Sequence, residues 1–379
     1  MTVIKNVRFS CKDEDCDGYV KAENGVISEV GRGDADGDIV IDGDGAVLYA
    51  GLCDIHTHGA KGVDFTLCSK EQAVSLENWY ASCGVTSVFP TTTTESYDTI
   101  LKACENIAKA AKIVTKTHYD GIHIEGPFLS RERRGAHNED LLRNPDIEFV
   151  KQIKQVADGL EVRITVAPEI PGALEFIRKC KALGVHVTLG HSASELETVL
   201  EAIELGADCA THTFNGMNPL HHRTPGLLGA ALAEDIYAEI ICDGLHVHPE
   251  AVKLFSRAKG DKRAVLITDS IILAGCAEKD GVMKSAGMDV QVVNGEIRNV
   301  ENGALAGSSL KLCDAVANYA LFTGKELDTA AQAAGENAAR AGGVFGKCGS
   351  VETGKRADFV LMDKSGRLLH TICSGVLVF

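Results

Sequence analysis

The chain has 379 residues, 45% hydrophobic and 24% charged, which is the make-up of a globular protein with room for more than one average domain. A net charge of −15 argues against a nucleic-acid partner, and the apolar runs are too short and too interrupted to cross a bilayer. The 13 cysteines stand singly, without a Cys-x-x-Cys pair, and no signal-like apolar core follows Met1, so reduced core thiols and a cytoplasmic location are expected.

From the N-terminus, residues 1–46 alternate short apolar runs with turns such as Glu23-Asn24-Gly25 and Asp42-Gly43-Asp44-Gly45, the pattern of a β-meander. Eight apolar, β-rich runs follow, at 47–55, 86–89, 121–124, 162–167, 185–189, 208–211, 238–242 and 264–267. Helical patterns separate them, among them 70–83, 96–111, 172–183, 194–205 and 249–258, several closed by glycine as at Gly84, Gly184 and Gly206. Eight strands joined by helical crossovers predict an α/β protein with a TIM (β/α)8 barrel. Two more helices are expected at 308–322 and 327–341, and the tail, 354–363 and 371–379, reads again as strand and turn. The expected organisation is a barrel over 50–344 and a small β-sandwich domain formed from both termini, 1–49 plus 345–379.

Chemistry-bearing residues fall where the runs stop. The first run ends in Asp54-Ile55-His56-Thr57-His58, the third in His123-Ile124-Glu125, the fifth in Gly190-His191, the sixth in Thr211-His212 and the eighth in Thr268-Asp269. In such a barrel the C-terminal strand ends open onto one face, so these residues converge. His-x-His on a strand points both imidazoles to one side. Several imidazoles with two carboxylates make a site for a first-row divalent metal. Glu125, before Gly126-Pro127, sits where a buried carboxylate needs a cation. Asp269 is placed to take a proton from water and return it to a departing amine.

With these residues in view, the chain resembles the amidohydrolase superfamily, and within it the N-acetylglucosamine-6-phosphate deacetylases. The specific resemblance lies in His123-Ile124-Glu125-Gly126-Pro127-Phe128, Arg134-Gly135-Ala136-His137-Asn138, Leu189-Gly190-His191-Ser192 and Thr211-His212-Thr213-Phe214-Asn215-Gly216-Met217. It continues in Pro219-Leu220-His221-His222-Arg223, Asp243-Gly244-Leu245-His246, Thr268-Asp269 and Leu305-Ala306-Gly307-Ser308. The resemblance implies that Glu125, His191 and His212 hold one divalent ion, and that His56 and His58 allow a second, bridged by Glu125. Zinc or iron is the expected metal, with manganese or cobalt as the other candidates.

It further implies Asp269 as general base and acid, and His137 and His246 as contacts to sugar and acetyl group. Asn215, Gly216 and Arg223 become the receivers of a phosphate, and Ala136, Asp243, Leu305, Ala306 and Gly307 join the substrate-binding set. A homodimer with a sugar phosphate as substrate is expected. Ala50, Gly216 and Ala338 depart from relatives at turn positions, where little functional consequence is expected. No lysine occupies 162–167, where dihydroorotase-like relatives carry a carboxylated one, which weakens a cyclic-amide substrate. An unphosphorylated amino sugar and a barrel that binds metal without catalysis are the other readings. Arg223 with Asn215 speaks against the first, and the strand-end Asp269 against the second.

Overall fold

Gly51 divides what the sequence presents as one run. Its amide donates to Asp358 O at 2.8 Å, and a Cβ placed on it would lie 2.1 Å from Thr86 Oγ1, so the chain passes here with no room for a side chain. On one side Val47–Ala50 pairs antiparallel with Phe359–Met362; on the other, Leu52–Thr57 opens the barrel. The computed structural model describes residues 1–11, 14–276, 282–285, 288–293, 296–301 and 303–379.

The barrel strands are β1 (Leu52–Thr57), β2 (Val85–Thr92), β3 (Gly121–Glu125), β4 (Glu161–Val166), β5 (His186–Leu189), β6 (Ala207–Ala210), β7 (Tyr237–Ile241) and β8 (Ala264–Ile267). Each pairs in parallel with the next. Just beyond β8, Asp269 N donates to His56 O at 2.9 Å and His58 N donates to Ser270 O at 2.8 Å, which closes the ring against β1. These strands are covered on both faces, which is why they read as continuous apolar runs rather than alternating ones. Helices pack outside by their apolar stripe: Tyr97–Ala111 buries Ile100, Cys104 and Ile107, and Ser96 Oγ caps its start by accepting from Thr99 N at 3.2 Å.

The terminal segments build an eight-stranded, mostly antiparallel sheet in which Ile39–Asp42 branches off as a parallel neighbour of Thr2–Cys11. It closes over its own core of Ile4, Val20, Leu48, Phe359 and Ile372. All eleven cysteines whose side chains are described are free thiols. Among the described residues no helix is long and apolar enough to cross a membrane.

Three features differ from the expected pattern. Two expected helices are broken, 70–83 at Leu76 and 327–341 at Gly335, and the helix expected from 308 starts at Leu312. Ser308 is engaged instead in extending the barrel, its amide donating to Asp269 O at 2.8 Å and its carbonyl accepting from Ile271 N at 3.1 Å. A three-stranded antiparallel sheet, Val282–Ser285, Met288–Val293 and Glu296–Asn299, stands between β8 and that helix. It packs Val290 and Ile297 onto Ile271, Ile272 and Leu273.

Candidate metal centre and substrate cavity

At the C-terminal mouth of the barrel, Glu125 ends β3 with its carboxylate 3% exposed and imidazoles on both sides. Its Oε1 lies 3.3 Å from His191 Nε2 and 3.0 Å from His212 Nε2, and those two nitrogens are 3.0 Å apart. Its Oε2 lies 2.9 Å from His58 Nε2. His56 Nε2 stands 3.5 Å from Glu125 Oε1 and 3.5 Å from Asp269 Oδ1, while His58 Nε2 is 3.3 Å from the same aspartate oxygen. Two donor groups thus share Glu125: Glu125 with His191 and His212, and Glu125 with His56, His58 and Asp269.

This donor set fits divalent cations. A tetrahedral shell of roughly 2.0–2.1 Å radius has edges of about 3.3 Å, close to the first triangle. His56 Nε2 is fully buried and has no hydrogen-bond partner among the described residues, which is costly unless something else occupies its lone pair. The charges point the same way. Burial alone would raise the Asp269 carboxyl, yet His56 and His58 hold it at about 2; against the same burial, His56, His137, His191 and His212 keep Glu125 well below the usual carboxylate range. Burial alone would lower His58, and Asp269 and Glu125 instead raise it to about 9. The carboxylates thus stay ionised and His58 holds its proton, a positive charge that a bound cation would replace.

Backbone strain concentrates here. His191, His212 and Asp269 have φ of +48°, +28° and +49°, a left-handed region that costs non-glycine residues roughly 1–3 kcal/mol. These turns swing the side chains from strand direction to the mouth. Gly216, with φ +62°, packs so closely that a Cβ would lie 2.9 Å from His191 Nδ1; its residue type therefore bears on a candidate ligand.

Above the carboxylates lies a cavity of about 300 Å³ lined by Ala136, His137, Asn215, Gly216, His246, Leu305, Ala306 and Gly307 together with His58, Glu125, His191, His212 and Asp269. His137 Nδ1 accepts from the Thr94 hydroxyl at 2.8 Å and lies 3.4 Å from the Thr94 amide. An amide only donates, so the ring proton belongs on Nε2, which faces Glu125 Oε2 at 3.6 Å. Burial holds His137 down at about 4, leaving it neutral. His246 is set oppositely: its Nδ1 is 2.6 Å from Asp243 Oδ2, so Nε2 is the free, unpartnered atom at the cavity.

Two residues of the expected set lie elsewhere. Asp243 stands behind His246 and orients it. Arg223 is exposed on the 219–224 segment, outside the cavity lining, with Nη1 2.9 Å from His222 Nε2. Sequence reading missed Asp64, Thr93, Ile271 and Ser285, which also line the cavity, and Thr94, Arg163 and Glu239, which support it from behind. Asp64 follows the His-x-His segment by six residues, so its proximity carried a signal; the others stand at ordinary strand or insertion positions. A separate group, His118, Asp358 and Cys373, lies by the terminal sheet, where Asp358 already pairs with Arg356 Nε at 3.0 Å and accepts from Ser374 N.

Residues 47–378 match the amidohydrolase family. An N-acetylglucosamine-6-phosphate deacetylase from Bacillus subtilis is 37% identical over 88% of this chain and 85% of its own length. An N-acetylgalactosamine-6-phosphate deacetylase from Escherichia coli is also 37% identical, over 86% of this chain and 85% of its own. The crystal structure of the N-acetylglucosamine-6-phosphate deacetylase from Pasteurella multocida superposes with a TM-score of 0.92 at 30% identity, covering 99% of both chains.

Proposed function

Because the chain belongs to the amidohydrolase family, a family of metal-dependent hydrolases, we propose that it hydrolyses the acetamide of N-acetyl-D-glucosamine 6-phosphate to D-glucosamine 6-phosphate and acetate, in amino-sugar breakdown. The observation that carries this reading is the meeting of His58, Glu125, His191, His212 and Asp269 at the floor of one cavity, with His56 buried just beneath them. Relatives that act on phosphorylated N-acetyl amino sugars over most of the chain supply the substrate class.

Glu125, His191 and His212 would hold one divalent ion, and His56 and His58 a second beside Glu125. The bound ion supplies Lewis acidity, polarising the amide carbonyl and making a nearby water acidic. The chain's own groups do the rest. Asp269, held deprotonated, takes one proton from the attacking water as its oxygen bonds the acetyl carbon. It returns that proton to the amine nitrogen as the C–N bond breaks. His137 Nε2–H donates to the developing oxyanion, and His246 Nε2, its other nitrogen engaged by Asp243, accepts from a sugar hydroxyl. Asn215 and Gly216 with Arg223 would receive the phosphate, for which a guanidinium fork is suited. Arg223 and neighbouring Leu220 (51%) are exposed, which leaves them free to complete the phosphate site at a homodimer contact; a cytoplasmic location belongs to the same reading.

The test measures acetate release from the phosphorylated glucosamine and galactosamine derivatives and from unphosphorylated N-acetylglucosamine. Asp269→Asn should lower turnover about 100- to 10,000-fold while the ion at Glu125, His191 and His212 stays, by elemental analysis. Near-normal turnover in that variant, or equal rates on phosphorylated and plain sugars, would sink the reading.

A further inference from the structure

The two imidazoles of the His-x-His segment are held differently. His58 Nδ1 has no partner among the described residues, whereas His56 is gripped from inside the barrel. Its Nδ1 lies 3.0 Å from Glu239 Oε2, and Glu239 Oε1 accepts from Arg163 Nη2 at 2.9 Å. All three side chains are 0% exposed. Arg163 Nη1 donates to Ala341 O, which ties the pair to the apolar plug formed around Ala338, Ala341 and Val344. The carboxylate's Oε2 also lies 3.3 Å from the backbone amide of His212, so one glutamate reaches two candidate ligands.

A carboxylate only accepts, so the proton shared with Glu239 sits on His56 Nδ1. The atom left to meet Glu125 and Asp269 is Nε2, the buried nitrogen without a hydrogen-bond partner. Arg163 offsets the charge that Glu239 would otherwise bring alone into a dry interior. A pair serving stability alone needs no third member, yet Glu239 turns its second oxygen to His56. We infer that the Arg163–Glu239 pair is a positioning device that makes His56 a metal ligand and thereby fixes whether the centre holds a second ion. This rests on the metal-centre reading above.

An isosteric change separates this from simple structural support. In Glu239→Gln, Arg163 still needs an acceptor and takes the amide oxygen, so the amide NH₂ faces His56 Nδ1. The ring must then accept at Nδ1 and carry its proton on Nε2, where it no longer ligates. Adding Arg163→Met frees the amide oxygen to turn back to His56. The proteins are dialysed against Zn²⁺, their zinc counted by elemental analysis, and its affinity measured by competition with a colorimetric chelator.

The expected result is two zinc ions per wild-type subunit and one in Glu239→Gln, the second site weakened about 10- to 100-fold, with binding regained in the double variant. Unchanged stoichiometry and affinity in Glu239→Gln, or no recovery in the double variant, overturns the inference. A wild type holding a single zinc overturns it as well while sparing the hydrolase reading; a wild type holding none overturns that reading too. Should Glu239→Gln not fold, long-range ¹H–¹⁵N histidine spectra of the zinc-loaded wild type decide: a proton on His56 Nδ1 upholds the inference, and one on Nε2 overturns it.

Discussion

His137 shows how much chemistry one side chain owes to the residue behind it. Thr94 presents both its hydroxyl and its amide to Nδ1, and this leaves Nε2–H for the substrate. A hydrogen bond of this kind is worth about 0.5–1.5 kcal/mol, so Thr94→Val should lower kcat up to about tenfold with little change in KM, and Thr94→Ser should restore it. A variant that lost thermal stability but kept kcat would reduce Thr94 to a packing role. The same contrast explains what the sequence disclosed at this scale. Glu125, His191, His212 and Asp269 were legible because each ends an apolar run, where a polar residue is out of pattern. Arg163, Glu239 and Thr94 were not, since their polar atoms are satisfied across the barrel by residues far away in the chain, and nothing local marks the pairing.

Strands deliver the site only because their ends turn sharply. After Glu125 the chain bends at Gly126, with φ +88°, and a Cβ there would lie 2.0 Å from Thr94 Oγ1. Gly126→Ala meets both the left-handed penalty of about 1–2 kcal/mol and that overlap, and it pushes on the residue that sets His137. It should therefore lower the denaturation midpoint and kcat together; an unchanged midpoint would show that this corner relaxes at no cost. Corners like this one also mark the limits of reading elements from pattern. Each of the eight runs contains or overlaps a barrel strand, since burial on both faces leaves an unmistakable apolar signature. The break at Gly51 was hidden because apolar residues continue on both sides of it, although they enter two different sheets. The three-stranded insertion after β8, which brings Ser285 to the cavity, did leave a signal in the alternation of Met288–Val293, but its flanking strands are only four residues long, too short for a pattern to stand out.

At the scale of the whole molecule, the barrel is locked to the terminal sheet by a charge. Arg356, in the returning C-terminal segment, donates Nη1 and Nη2 to the two oxygens of Asp120 at 2.8 and 2.7 Å, and Ser87 Oγ adds a bond to Asp120 at 2.6 Å. Asp120 stands just before β3, so the pair joins the base of the strand that carries Glu125 to the far end of the chain. Burial alone would raise the Asp120 carboxyl; the hydrogen bonds and charge of Arg356 outweigh it and lower it from 3.8. A carboxyl whose folded value lies below its unfolded one stabilises the fold above the unfolded value, and that stability is lost as pH falls through the folded one. Asp120→Asn should thus cost about 3 kcal/mol at pH 7, the low end for breaking a buried pair, because Arg356 keeps Asp358 as a second partner. The gap to wild type should narrow as the pH drops below 3.8, where the carboxyl of the unfolded chain takes up a proton that the folded one still resists. Urea denaturation of both proteins at pH 7 and in steps towards pH 3 measures it; a gap independent of pH would mean that shape rather than charge holds the two parts together.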